Sequence, residues 1–306
     1  MHTGALKKWA LALTFWLAVH TASLKAQILG PYGTSPTIFE VDANGLLSDT
    51  GTFGTGTLSL SGSGTRMFWY PGKAAFRAGY VNGTEWNDAN IGAYSVAFGY
   101  GTTASGAYSS ASGYETVASG GGSTASGYYS EATGSCATAM GDGVHAFSDN
   151  STASGAYTTA WAWAATAMGG WTTASGGSSL ATGVWTTASG GESATFGKGT
   201  TASAYDSIAS GVNTTASGYC SMSAGYSTIA PAQLSFVIGT YNVGLNSAGG
   251  AANPTTWEAT DPLFEIGDGT SSTPSDAFVV YKNGNAVLQG TLQVAPGGDI
   301  PMYTGE

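Results

Sequence analysis

The chain has 306 residues, 48 of them Gly, with 8% charged side chains and a formal charge of −10 from 18 acids against 8 bases. Gly, Ser and Thr disfavour helix interiors, which argues against a helix-rich fold, and the acidic balance repels nucleic acid and anionic lipid. An all-β repeat is the class that remains.

In chain order, Lys7 and Lys8 form a positive n-region, Trp9 to Val19 is an apolar stretch too short to span a bilayer, and Ala26 is a small residue before a cut at Gln27. Residues 1–26 are therefore expected to be an export signal. Its removal takes Lys7, Lys8 and Lys25 away, leaving five bases against 18 acids, and it takes His2 and His20, leaving His145 alone. A single histidine excludes triads and multi-histidine metal sites, so no catalytic, cofactor-binding or metal-ligating residue is assigned and the chain is not expected to be an enzyme. No later run is apolar enough for a membrane helix. The mature chain is expected to be exported, at the cell surface or extracellular, without a transmembrane segment.

Residues 27–91 form an N-terminal β segment. Thr52 to Thr65 alternates Gly, Thr and Ser around Leu58 and Leu60, and Met67-Phe68-Trp69-Tyr70-Pro71 follows, which predicts short strands and turns.

A seven-residue ruler starts at Gly92 and runs without a slip to Ala232. Over 21 frames the first position is Gly in 17, the fourth is Ser or Thr in 18, and the sixth is Ala in 18. A coiled coil is excluded, because Gly in every heptad costs about 1 kcal/mol each time and no large aliphatic a/d pair exists. Extended backbone places positions four and six on one face and five and seven on the other. Ser, Thr and Ala on one face predict a narrow interior, with Gly supplying strained backbone at each bend. Two heptads per circuit give a flat coil of 14 residues, and ten coils stacked at about 4.8 Å give a rod of roughly 48 Å. The prediction is an all-β parallel β-roll, a solenoid, over residues 92–238.

The two alternating heptad classes differ. One places Val96, Phe98, Met140, Met168, Leu180, Phe196, Ile208, Met222, Phe236 and Ile238 at outward positions, whereas the other reads mostly Thr-Ala-Ser. Burying ten such side chains contributes at most about 15 to 30 kcal/mol, so association through that side is expected. Residues 239–260 predict a neck or linker. Residues 261–306 predict a β-hairpin module, with Lys282-Asn283-Gly284-Asn285 as its turn.

The stretch Tyr94-Ser95-Val96-Ala97-Phe98-Gly99, the repeated Thr-Thr-Ala-Ser-Gly units and Ala137-Thr138-Ala139-Met140-Gly141 resemble the 14-residue head repeat of the YadA-like trimeric autotransporter adhesins. The resemblance implies a left-handed roll, a homotrimer with Val96 and Phe98 facing its axis, and extracellular adhesion. Self-exporting members of that family end in a coiled-coil stalk and a membrane barrel. Nothing of that kind precedes Glu306, so a truncated chain or a borrowed head anchored otherwise is expected.

Residues 14 apart stack laterally, which makes ladders the candidate ligand surface. Tyr157, Trp171 and Trp185 share one position, Tyr100, Tyr114 and Tyr128 another, and Thr159, Thr173, Thr187, Thr201 and Thr215 a third, with Ser175, Ser189, Ser203 and Ser217 two residues on. An aromatic row offers a platform for sugar rings, set against the plainer role of covering bend backbone. A hydroxyl array offers an ice-binding face, set against a solvated strand. The binding partner on this reading is a glycan or a matrix-like ligand met by multivalent contact. The alternatives are a passive fibre or coat protein and an ice- or polysaccharide-binding solenoid. Cys136 and Cys220 lie six coils apart, too far for an intrachain disulfide. The loose dinucleotide matches at Gly141 and Gly197 are by-products of the ruler and lack a following helix. His145 is expected at an outward position, and Asp142, Asp149 and Asp206 are too scattered for a calcium cage.

Overall fold

The computed structural model describes residues 51–291 together with two short strands, Glu40–Val41 and Leu47–Ser48, that pair antiparallel. The expected export signal, residues 1–26, and residues 292–306 lie outside the described part.

Each 14-residue coil contributes one five-residue strand and one two-residue strand. The short strands form a 10-stranded parallel sheet from Thr103–Ala104 to Ile229–Ala230, and the long ones belong to a 16-stranded sheet. Register advances by 14 residues at each step: Thr173 pairs with Thr187, and Gly183 with Gly197. The all-β parallel roll expected from the ruler is the fold observed. Its interior is Ala at the sixth position and Ser or Thr at the fourth, as at Ser95, Ala97, Thr102 and Ala104, which are fully buried.

The bends differ from the expectation. The left-handed residue is the third of each heptad and is mostly not glycine: Tyr94, Cys136, Trp171 and Trp185 have φ of 58°, 57°, 51° and 55°. Glycine answers a different constraint. Where the long strand turns, Gly197 has φ of 121°, and a Cβ there would lie 2.0 Å from the Gly211 carbonyl oxygen of the next coil. That position is Gly in every coil from Gly99 to Gly239, whereas the first position of the other class admits Ser148, Ala162, Ala204 and Ala232. Coil-to-coil approach, more than local turn chemistry, writes the ruler.

The roll is closed at both ends by polar groups inserted where alanine stands elsewhere. At one end the strand Ala75–Val81 pairs parallel with the first coil and puts Arg77 beside Ala97. Its buried guanidinium donates to the Ser95 and Ala104 carbonyls and to Ser95 Oγ, and burial lowers its pKa to about 10. Trp86 is fully buried, edge-on to Phe68, with its indole N–H donating to the Thr102 carbonyl. At the other end Pro262–Asp268 pairs parallel with the last coil, placing Glu265 beside Val237. The Asn242 amide bonds both the N–H and the C=O of Ile229, so one side chain stands in for a further strand at the short sheet's edge.

The N-terminal reading is half realised: Gly64–Tyr70 is a strand pairing antiparallel with Ala75–Val81, but residues 51–63 form none. The predicted hairpin is present as Asp276–Tyr281 and Ala286–Leu288.

Candidate functional site

The long sheet presents its outward face without a covering layer. Phe98, Met140, Met168, Phe196, Ile208 and Phe236 are exposed on it, while Val96, Leu180, Met222 and Ile238 are half-buried. Strand register carries this face beyond the coils. Trp69 and Phe76 pair and continue the Val96 column, Phe264 and Ile266 continue Phe236 and Ile238, and Phe278 pairs with Ile266. Phe76 meets Phe98 at 5.5 Å and Phe236 meets Phe264 at 5.7 Å between ring centroids. Sequence reasoning missed these additions, although Phe236-x-Ile238-Gly239 and Phe264-x-Ile266-Gly267 repeat one pattern.

The short sheet's outward face carries two ranks of hydroxyls. Thr159, Thr173, Thr187, Thr201 and Thr215 are paired coil to coil, with Ser175, Ser189, Ser203 and Ser217 two residues on. Before it, at the left-handed bend position, Tyr157, Trp171 and Trp185 stack at 5.6 and 5.8 Å. The ends of this stack are covered: a Cβ built on Gly143 would lie 3.1 Å from the Tyr157 ring, and Lys198 Nζ sits 5.3 Å from the Trp185 ring. Tyr157 and Trp171 stack face to face and Trp171 is tilted against Trp185, so each ring has neighbours along the row although all three remain about half exposed. On the long sheet Tyr80, Tyr100, Tyr114 and Tyr128 stack at 5.1, 4.7 and 4.9 Å, with Tyr129 edge-on to the last two. A hydrogen bond with the Tyr114 side chain, followed by burial, pushes the Tyr129 phenol up to about 12.

On the short-sheet side, His145 Nδ1 lies 3.5 Å from Glu131 Oε2 and the imidazole stacks on Phe147, which meets Trp161 at 4.6 Å. Cys136 and Cys220 are both free thiols. Asp206 approaches the Cys220 sulfur at 3.8 Å, and burial together with that carboxylate raises the thiol's pKa, which lowers its reactivity. Asp142, Asp149 and Asp206 stay on separate coils, and among the described residues no group of three metal-ligating side chains converges. No helix among the described residues is long and apolar enough to cross a membrane.

Residues 91–116, 118–143 and 202–228 match the family model of the YadA head domain repeat. No curated protein matches the chain.

Proposed function

We propose that the roll, three stretches of which match the YadA head domain repeat, is a YadA-type head of which three copies associate through the long-sheet face and display the other faces as an exported, surface-exposed adhesin head. The observation that supports this most is the run of outward apolar side chains on the 16-stranded sheet, dense from Met168 to Phe278 and at Trp69, Phe76, Val96 and Phe98, and interrupted by hydroxyls at Ser110, Ser112, Thr124, Ser126, Thr152 and Ser154. An Ala/Ser interior buries little apolar area per residue, whereas the uncovered Phe, Met and Ile side chains contribute stability only when another surface covers them. A trimer presents every ladder three times, so modest single-site affinity becomes avidity toward a repetitive partner such as a glycan or matrix fibre.

The test is the mass of the mature chain in solution, followed by binding to matrix-protein and glycan arrays. The expected mass is three chains. A monomer at micromolar concentration removes both the axis and the avidity.

A second reading draws on the paired hydroxyl ranks from Thr173 and Ser175 to Thr215 and Ser217, which suit ordered water at an ice face. Absence of freezing hysteresis eliminates it.

A further inference from the structure

Trp161 and Trp163 are 54% and 60% exposed and flank Ala162, where the chain leaves the short sheet. Phe147 occupies one side of Trp161, but on the other side the next coil supplies only Ser175 at the same register. Trp163 has no ring stacked on it among the described residues, and its counterpart on the next coil is Gly177, where an added Cβ would meet nothing within 4 Å. One coil further, Tyr205 lies over Gly191, with its ring 2.6 Å from a Cβ built there. The bend is therefore open between Trp163 and Tyr205 for about two coil spacings, roughly 10 Å. This differs from Tyr157, Trp171 and Trp185, where each ring has neighbours along the row.

We infer that this notch is a binding site for a neutral saccharide, an inference that rests on the adhesive reading above and names its ligand class. Open indole faces accept the apolar face of a pyranose ring, and Ser175 and Ser189 place hydroxyls along the floor. Charge selects among sugars. No Lys or Arg occurs between residues 161 and 197, while Glu192, which accepts a hydrogen bond from the Tyr205 hydroxyl at 3.0 Å, and Asp206 flank the far wall. Uronic or sulfated chains meet repulsion there, and neutral ones meet hydrogen-bond acceptors.

The experiment titrates the full chain with neutral hexasaccharides of the cellulose, chitin, xylan and mannan series and with hexagalacturonate, following tryptophan fluorescence and heat. Saturable binding of at least one neutral series, with none of the uronate, is expected. Trp161→Ala with Trp163→Ala should weaken it at least tenfold, and Trp171→Ala with Trp185→Ala less than twofold. Gly177→Phe fills the notch while leaving both tryptophans, and it should also weaken binding at least tenfold at unchanged oligomer mass. Undiminished binding by Gly177→Phe, or no response to any neutral series, overturns the site. If matrix proteins are still captured on an array in that case, the saccharide site falls and the adhesive reading stands; a chain that is monomeric and captured by nothing removes the adhesive reading itself.

Discussion

Ser and Thr divide the interior between them for a geometric reason. In the coil class that precedes the long strand, the fourth residue is Ser except at Ala137 and Ala165, and apart from Ser179 and Ser221 its hydroxyl donates to the carbonyl three residues back, as Ser193 does to Gly190 at 2.7 Å. In the other class the residue is mostly Thr, and the buried hydroxyls of Thr102, Thr116, Thr158, Thr172, Thr186, Thr200 and Thr214 have no partner. Val144 stands in that same column, fully buried. Thr172→Val should therefore stabilise the fold by about 1 kcal/mol, whereas Ser193→Ala should destabilise it by a similar amount. Urea unfolding of the two variants checks the sign; equal losses refute the division. Glu265 offers a pH test. Burial, aided by the nearby Asp276 carboxylate, pushes its carboxyl up to about 7 from an ordinary 4.5, against the Asn242 amide that favours the charged form. Stability is then fullest below about pH 4.5 and falls as pH rises through 7, by up to about 3 kcal/mol. Glu265→Gln should flatten stability between pH 5 and 8, and a variant with the wild-type slope shows that another group titrates.

A coil is the unit that the sheets recognise, and half a coil is not. Removing residues 176–189 joins Ser175 to Gly190 and keeps both heptad classes in order, so the shortened roll should fold, with a smaller urea m-value. Removing residues 176–182 joins Ser175 to Gly183 and puts two frames of one class in succession. Every later long-strand residue then falls on the short-sheet side, carrying Phe196, Ile208 and Phe236 away from the apolar face. That variant should lose β signal or oligomer mass, and native behaviour from it refutes a 14-residue period. This period was legible because the carbonyl approach at Gly99 through Gly239 admits no side chain. The strand Ala75–Val81 was not legible, since Gly79 pairs with Gly99 across 20 residues, which is no multiple of seven. The intervening segment carries Trp86 and a short 3-10 turn at Asp88–Asn90 in place of a short strand. At the candidate surface, the 14-residue spacing gave the ring columns. It did not say which faces the rings spend on one another, because that depends on side-chain packing between coils.

At the scale of the molecule, the two sides of the roll make opposite demands, and one substitution on each separates them. Phe196 is exposed on the long-sheet face and Ser189 stands on the short-sheet side. In the proposed trimer, an aspartate at 196 would place three carboxylates near a shared axis in place of apolar contacts, which would remove about 1.5 to 3 kcal/mol of burial per chain and add like-charge repulsion. Phe196→Asp should therefore lower the oligomer mass at micromolar concentration, while Ser189→Asp leaves it unchanged. Equal effects count against the long-sheet face as the interface. The same pair tests avidity. If adhesion comes from repeated weak contacts, the dissociated Phe196→Asp chain keeps its single-site affinity for a soluble fragment of its partner, yet it should lose about 10² to 10⁴-fold in retention on a surface coated with that partner. Retention that survives dissociation means that one copy of the roll holds the surface unaided, and the three-chain arrangement then serves reach and rigidity in place of grip.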